Sequence, residues 1–172
     1  ARGRERLAVG SAPRIGLNTG AGGRWVSKAL PEERVVALAA ALAARSDEPT
    51  LVLLGGPDEA ERNGRLARDL PATGARLVDP GTDNDLTSFG ALVGGLDLLV
   101  TSDSLALHLA IAQGVPVVAF FAPTSAAEIE LYGRGAKVAS TAPDACSYRP
   151  DADNSTVTVE RLAAAIDLVL PA

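Results

Sequence analysis

Short apolar runs alternate along the chain with longer segments in which apolar residues recur every three or four positions. The short runs are rich in Val, Leu and Ile, which is typical of strands buried in a sheet. We predict six strands, at residues 14–17, 50–54, 76–78, 98–101, 115–120 and 136–140. Such alternation is typical of βα units that stack into a parallel sheet with helices on both faces.

Three of the longer segments have the spacing of an amphipathic helix. The first follows Pro31, a residue that suits a first helical position, and the others lie at residues 86–96 and 159–170. The first segment has apolar residues at the i, i+3, i+4 and i+7 positions, namely Val35, Leu38, Ala39 and Leu42. Six strands with intervening helices predict an α/β fold, a Rossmann-like doubly wound parallel sheet. Its ligand crevice is expected at the carboxyl ends of the strands.

The bulk composition suits one compact domain. The chain has 172 residues, of which 47% are hydrophobic and 22% charged. We expect residues 1–13 to form a disordered or linker segment and residues 14–172 to form the Rossmann-like domain. Polar or helix-breaking residues, including His108 and Pro116, interrupt the longest apolar region, residues 105–127. That region is therefore predicted to be a buried helix and a buried strand, and no transmembrane segment is expected.

Charge and rare residues narrow the classes of function. A net charge of −5 argues against a general affinity for nucleic acid. With one cysteine, Cys146, and one histidine, the chain has neither an internal disulfide nor a histidine–cysteine cluster with metal-ligand spacing. We expect no metal, no cofactor, a structurally incidental Cys146 and a cytosolic setting.

A glycine-rich turn, N-T-G-A-G-G-R at residues 18–24, follows the first predicted strand. Glycines allow backbone N–H groups to approach an anion, and Lys28 can add a positive charge beside a phosphate. The turn matches neither the dinucleotide fingerprint nor the P-loop pattern, and glycine turns are common after strands. A phosphate role and a plain turn both stay open on these residues alone.

The second strand runs into G-G-P-D-E at residues 55–59. An acid at this place can accept hydrogen bonds from a ribose, as acids of Rossmann domains do. Alternatively, Pro57, Asp58 and Glu59 are residues that begin a helix without any ligand. Taken alone, the segment favours the structural interpretation.

The fourth strand brings Ser102, Asp103 and Ser104 to the start of a helix whose free N–H groups and dipole attract a diphosphate. His108 lies one turn along and can donate a hydrogen bond to a phosphate or a departing nucleotide. The alternative is that Ser102 or Asp103 caps the helix and that His108 is a buried core residue. After the fifth strand, Thr124 and Ser125 are further candidates for a helix cap.

Together these segments resemble glycosyltransferase family 9, the bacterial heptosyltransferases that build the lipopolysaccharide core. The resemblance covers about residues 14 to 170 and follows that family's C-terminal, donor-binding domain. Its most specific part is T-S-D-S-L-A-L-H-L-A at residues 101–110. The motifs G-V-P-V-V-A at 114–119, A-P-T-S at 122–125 and L-Y-G at 131–133 follow in the family's order.

The resemblance implies a set of donor-binding residues: Thr19, Gly20, Lys28, Glu59, Asp103, Ser104, Leu105 and His108. The first three fall where the family contacts the donor's phosphates, and Glu59 falls where it holds the ribose. Asp103 would face the transferred sugar, Ser104 and Leu105 the diphosphate, and His108 would lie beneath it. The sequence departs from the family at Leu105, a position that is often glycine, and in an apparently longer glycine loop before Lys28.

The resemblance also implies a GT-B enzyme of two Rossmann-like domains, of which we expect this chain to hold only the second. The expected activity is inverting hexosyl or heptosyl transfer from a nucleotide-diphosphate sugar, ADP-heptose above all, in lipopolysaccharide or cell-surface glycan synthesis. Lys28 and His108 are the candidate leaving-group stabilisers. The missing N-terminal domain would supply the catalytic base and bind a lipid-linked or glycan acceptor, so we expect the chain alone to be inactive. The expected location is the cytoplasm, including the inner face of the bacterial membrane.

Two other classes of function stay open on the sequence. One is a nucleotide-sugar epimerase or hydrolase of GT-B-like fold, because the same donor pocket can serve elimination or attack by water. The other is a non-catalytic nucleotide-binding module.

Overall fold

The computed structural model describes residues 13–172, which form a six-stranded sheet with helices on both faces. The predicted linker, residues 1–13, lies outside the described residues except for its last one. All neighbouring strands pair in parallel, in the order β3-β2-β1-β4-β5-β6. The strands are β1 (Arg14–Asn18), β2 (Thr50–Leu54), β3 (Arg76–Val78), β4 (Leu98–Ser102), β5 (Val117–Phe121) and β6 (Gly135–Ala139). The predicted Rossmann-like doubly wound fold is confirmed.

Within residues 13–172, five α-helices connect or flank the strands: α1 (Glu32–Ala43), α2 (Ala60–Asp69), α3 (Leu86–Val93), α4 (Leu105–Gln113) and α5 (Val159–Val169). Four short 3₁₀ helices lie at Val26–Lys28, Pro57–Glu59, Leu70–Thr73 and Ala126–Glu128. No helix among residues 13–172 has the length and apolar character that crossing a membrane requires.

The core has two layers, one on each face of the sheet. Leu51 and Leu53 of β2 join the layer that contains α1 and α5, whereas Val52 and Leu54 join the layer that contains α3 and α4. Successive side chains of a strand point to opposite faces, so a strand covered on both faces must be apolar throughout. The sequence of β2 is therefore a continuous apolar run. Such runs made the strands predictable.

The strand order at the centre of the sheet determines where a crevice opens. β1 lies between β2 and β4, and the chain reaches these two neighbours on opposite sides of β1. The loops that follow β1 and β4 therefore diverge and leave a crevice at the carboxyl edge, which is the usual ligand position in such sheets.

Some element boundaries differ from the prediction. β5 begins at Val117, two residues later than predicted, because Gly114 ends α4 in the left-handed conformation (φ 71°) and Pro116 has no N–H for the ladder. β6 begins and ends one residue earlier than predicted. Pro31 precedes α1 at the N-cap and is not its first residue. Residues 141–156 contain no helix or strand.

Gly135 lies where β6 approaches β5 too closely for a side chain. It is the partner of Val117 in the ladder, and a Cβ atom at Gly135 would lie 2.2 Å from the carbonyl oxygen of Val117. We expect Gly135→Ala to lower the free energy of unfolding by about 1–3 kcal/mol, because a backbone atom in a buried sheet cannot move aside cheaply. Urea denaturation followed by circular dichroism measures this.

Gly64 of α2 is the matched control, since nothing lies within 4 Å of a Cβ atom built there. Gly64→Ala should raise the stability by about 0.5–1 kcal/mol through helix propensity. Equal effects of the two substitutions would contradict the close β5–β6 approach.

Candidate functional site

A cleft of about 460 Å³ opens at the carboxyl ends of the central strands. Its walls come from the loops after β1 and β2 and from the starts of α3 and α4. Gly20 and Glu59 lie on one side, and Phe89 and Leu105 contribute apolar surface. The cleft thus occupies the position that the strand order predicts for a ligand.

Asn18 ties the two diverging loops together at the floor of this cleft. Its amide nitrogen donates to the carbonyl of Gly20 at 2.7 Å and lies 3.1 Å from the hydroxyl of Thr101 and 3.3 Å from that of Ser104. These contacts join the end of β1 to the end of β4 and the start of α4. Asn18 was not among the predicted site residues, although a polar residue that ends an apolar strand is a recognisable signal.

The start of α4 is open to the cleft. Ser104 is the N-cap residue, but its hydroxyl lies 2.9 Å from that of Thr101 and accepts from Asn18, and no side chain caps the helix. Asp85 caps α3 and Thr158 caps α5, whereas α1 and α2, like α4, have no side-chain cap. The first backbone N–H groups of α4 therefore lack a side-chain acceptor, and with the helix dipole they favour an anion.

The alternative cap for this helix is wrong. Neither Ser102 nor Asp103 caps α4, because Ser104 occupies the N-cap position and Asp103 binds Lys28. The expected cap after β5 is also absent: Ser125 is the N-cap residue of the 3₁₀ helix Ala126–Glu128, but no side chain caps it.

Glu59 fixes the glycine loop against the loop after β2. Its side chain is buried (8% exposed), and its two oxygens accept from the N–H of Gly22 at 3.1 Å and from that of Gly56 at 2.8 Å. The bond to Gly56 closes the first turn of its own helix, as the structural interpretation predicts. Glu59 also lines the cleft, so its remaining acceptor positions are available there.

Thr19 points away from the cleft. It is 2% exposed, and its hydroxyl lies 3.1 Å from the carbonyl of Leu54 and 2.6 Å from the amide oxygen of Asn63. Its backbone N–H also donates to Leu54. Thr19 thus joins β1 to β2 and α2, and its contact with a phosphate stays a prediction.

Lys28, Asp103 and His108 form a cluster beside the cleft. The Lys28 ammonium donates to the Asp103 carbonyl at 2.8 Å and to its carboxylate at 2.9 Å. An ammonium group has three protons, so one remains for another acceptor. His108 Nε2 lies 3.7 Å from the other carboxylate oxygen, and its side chain is 58% exposed. The alternative that His108 is a buried core residue is therefore wrong.

The surroundings of Asp103 keep its carboxylate charged. Burial raises the pKa of Asp103, but the hydrogen bond and charge of Lys28, together with smaller contributions from Thr124 and His108, outweigh it, and the pKa lies below its usual value. At neutral pH Asp103 is thus an acceptor only. It can hold hydroxyl groups of a ligand but is a weak base.

The structure divides the predicted site residues into three sets. Gly20, Glu59, Ser104 and Leu105 line the cleft, Lys28, Asp103 and His108 form the adjacent cluster, and Thr19 is buried beneath. The cleft residues and the adjacent cluster meet at the Asp103–Ser104 peptide bond, because Asp103 belongs to the cluster and Ser104 lines the cleft. Besides Asn18, Leu86 and Phe89 line the cleft without having been predicted to do so. They belong to the segment predicted as an amphipathic helix, and helical spacing alone does not distinguish a residue of the core from one that lines a cleft.

The fold and the cleft define an α/β domain in which a helix without a side-chain cap begins at the switch point of the sheet. The chain matches the family model of glycosyltransferase family 9 (heptosyltransferase) over residues 3–156. It belongs to this family. No curated protein matches the chain by sequence.

Solved structures share this fold. E. coli ADP-heptose lps heptosyltransferase II is 20% identical with a TM-score of 0.74, over 98% of this chain and 50% of that one. E. coli heptosyltransferase WaaC with ADP-2-deoxy-2-fluoro heptose is 23% identical with a TM-score of 0.64, over 98% and 48%. The C-terminal domain of a group 1 glycosyl transferase (LpcC) from Francisella tularensis is 13% identical with a TM-score of 0.58, over 98% and 80%. The chain thus spans about half the length of the two heptosyltransferases and has the fold of GT-B C-terminal domains.

Proposed function

We propose that this domain binds the nucleoside-diphosphate sugar donor of an inverting glycosyltransferase, with ADP-heptose as the expected donor. The open start of α4 at the edge of the cleft carries the proposal, because a diphosphate is the anion that such a helix start accommodates. Membership of a glycosyltransferase family favours sugar transfer over epimerisation, hydrolysis and non-catalytic binding. The heptosyltransferase structure with an ADP-heptose analogue supports the choice of donor.

The cleft provides complementary groups for each part of such a donor. The diphosphate lies at the N–H groups of Leu105 and Ala106, within reach of the free proton of Lys28. The ribose hydroxyls donate to Glu59, and the base lies against the apolar surface of Phe89. This arrangement directs the sugar towards Asp103, whose carboxylate accepts hydrogen bonds from sugar hydroxyls.

Leu105 does not obstruct this placement. Its side chain is largely exposed and lines the cleft, and it stands where the family often has glycine. A backbone N–H group donates whatever the side chain, so leucine leaves the helix start open. Its side chain adds apolar surface on which the donor can rest.

In the complete enzyme, an acceptor hydroxyl attacks the anomeric carbon from the face opposite the diphosphate. The new carbon–oxygen bond forms while the bond to the phosphate oxygen breaks, and the acceptor's proton passes to a base of the acceptor domain. Negative charge grows on the leaving nucleoside diphosphate. Lys28, the start of α4 and His108 stabilise that charge, which is the main contribution of this domain to catalysis.

We expect calorimetric titration to detect binding of ADP and ADP-heptose to this chain. Lys28→Ala, Glu59→Ala and His108→Ala should each lower the affinity by roughly tenfold or more, because each removes a charged or polar partner of the nucleotide. UDP and GDP in the same titration test the choice of base.

Lys137, the only other lysine in the chain, provides the matched control. It lies on β6, is exposed and is not part of the cleft. Lys137→Ala should leave the affinity unchanged. Equal affinity of all three site variants and the wild type, or no binding of any nucleotide, would exclude the proposed site.

A further inference from the structure

A segment far along the chain holds the short helix that carries Lys28. This segment, residues 147–154, is here called the strap. Its Tyr148 N–H donates to the carbonyl of Pro123 after β5 at 2.8 Å. Further along, the carbonyl of Pro150 accepts from the N–H of Ser27 at 3.0 Å and from the Ser27 hydroxyl at 2.8 Å. The strap thus bridges the loop after β5 and the 3₁₀ helix Val26–Lys28.

Asn154, the last residue of the strap, brackets Lys28. Its amide nitrogen donates to the carbonyls of Ser27 and Ala29, the two neighbours of Lys28, at 3.0 Å each. Arg34 of α1 fixes Asn154 in turn, because its guanidinium donates to the Asn154 carbonyl at 2.8 Å and to its side-chain oxygen at 3.1 Å. Both N–H groups of the Asn154 side chain thus donate to the backbone around Lys28, and its oxygen accepts from Arg34 and has one acceptor position left.

Lys28 needs such support because its own side chain is flexible. A lysine side chain contains four methylene groups and rotates freely about its bonds. A side chain that moves freely does not keep the contact geometry that a fixed anion site requires. Lys28 nevertheless meets two atoms of Asp103, 75 residues away, and its side chain is only 12% exposed. Its backbone must therefore be held at a fixed distance from the start of α4.

We propose that Asn154 is a positioning residue that holds Lys28 in place beside the start of α4 and so aligns it with the donor diphosphate. The link to the diphosphate rests on the proposed function, whereas the link to the Lys28–Asp103 pair does not.

Asn154→Asp removes the two donors of this bracket, and Asn154→Ala, measured beside it, removes them without adding a charge. Aspartate has the same shape and keeps the acceptor for Arg34, but it has no N–H group for the carbonyls of Ser27 and Ala29. Carbon-13 NMR titration of the carboxyl groups should show the pKa of Asp103 moving up towards its ordinary value, because Lys28 is no longer held against it. Calorimetry should show roughly tenfold weaker ADP binding. In a Lys28→Met background, Asn154→Asp should cause no further loss of ADP affinity.

Asp151→Asn is the matched control on the same strap. Asp151 forms an exposed ion pair with Arg149, and no hydrogen bond joins its side chain to residues 26–29. This variant should leave both the Asp103 pKa and the ADP affinity unchanged.

An unchanged Asp103 pKa in a folded Asn154→Asp variant would overturn the proposal, even if the stability of the protein fell. If that variant fails to fold, Asn154→Ala removes the same two donors, and an unchanged Asp103 pKa there would also overturn it. If the wild type does not bind ADP, the proposed function fails, but the titration still decides the role of Asn154. A further loss of affinity in the Lys28→Met background would show that Asn154 acts on the nucleotide by another route and would overturn it too.

Discussion

Lys28→Met is expected to lower the affinity of this chain for ADP by roughly tenfold to a hundredfold. The substitution removes the lysine ammonium that lies against Asp103 and beside the start of α4. A charge-assisted hydrogen bond contributes about 1.5–3 kcal/mol, which corresponds to that range of affinity. Methionine keeps the length of the chain, so the loss reports the charge and its hydrogen bonds and not the packing of the stem. Calorimetric titration with ADP measures the effect.

The same substitution should change how stability depends on pH. In the wild type the pKa of Asp103 is below 3.8, the ordinary value, so the unfolded chain binds more protons there than the folded one. The stability that Asp103 contributes is therefore complete above that ordinary value and disappears as the pH falls through its folded pKa. Without Lys28 the burial of Asp103 remains, so its pKa should rise from the wild-type position, and the stability gained by charging Asp103 as the pH rises should be smaller or lost.

The difference in unfolding free energy between wild type and Lys28→Met should consequently grow between about pH 3 and pH 6. Urea denaturation at a series of pH values measures it. Lys137→Met, on an exposed lysine of β6, should show no such growth. A constant difference across this range for Lys28→Met would mean that Lys28 does not control the charge of Asp103.

The fold was predictable because burial of both faces of the sheet places the same requirement on its strands. A parallel sheet covered on both faces needs continuous apolar strands, and β2 with its five buried residues is such a run. Boundaries were less predictable, because they depend on single residues in three-dimensional context. Nothing in the apolar run at residues 115–120 shows that Val115 and Pro116 precede the ladder and that Val117 begins it.

The site was predictable in position but not in geometry. The order of loops after the strands located the crevice, since carboxyl ends of parallel strands share one edge. Asn18 and Thr19 are neighbours in sequence, yet one faces the cleft and the other β2, because successive side chains of an extended chain alternate in direction. The pairing of Lys28 with Asp103 and the bracket from Asn154 join residues separated by 75 to 127 positions, and no local pattern records such contacts.

Gly20→Ala and Glu59→Ala should both destabilise the protein, and the pair should be strongly coupled. A Cβ atom at Gly20 would lie 2.3 Å from a carboxylate oxygen of Glu59 and 2.6 Å from each of two carbon atoms of the Glu59 side chain. Gly20→Ala therefore displaces the Glu59 side chain, which should lower the free energy of unfolding by about 1–3 kcal/mol. Glu59→Ala leaves the N–H groups of Gly22 and Gly56 without their charged acceptor, at a cost of about 3 kcal/mol. Each single variant should also lose most of the ADP affinity.

The double variant Gly20→Ala/Glu59→Ala tests whether the close approach of Gly20 and Glu59 causes the loss of stability in Gly20→Ala. With alanine at position 59, the side chain that Gly20→Ala would collide with is absent, so the second substitution should cost almost nothing and the double variant should be as stable as Glu59→Ala alone. Gly23→Ala is the control in the same loop, because nothing lies within 4 Å of a Cβ atom there, and its effect should be within about 0.5 kcal/mol. Additive losses in urea denaturation would mean that Gly20 is required for another reason. Coupling would mean that the glycine is needed because Glu59, held by two backbone donors, occupies the space beside it, and that the acid and the glycine loop form one unit of the cleft.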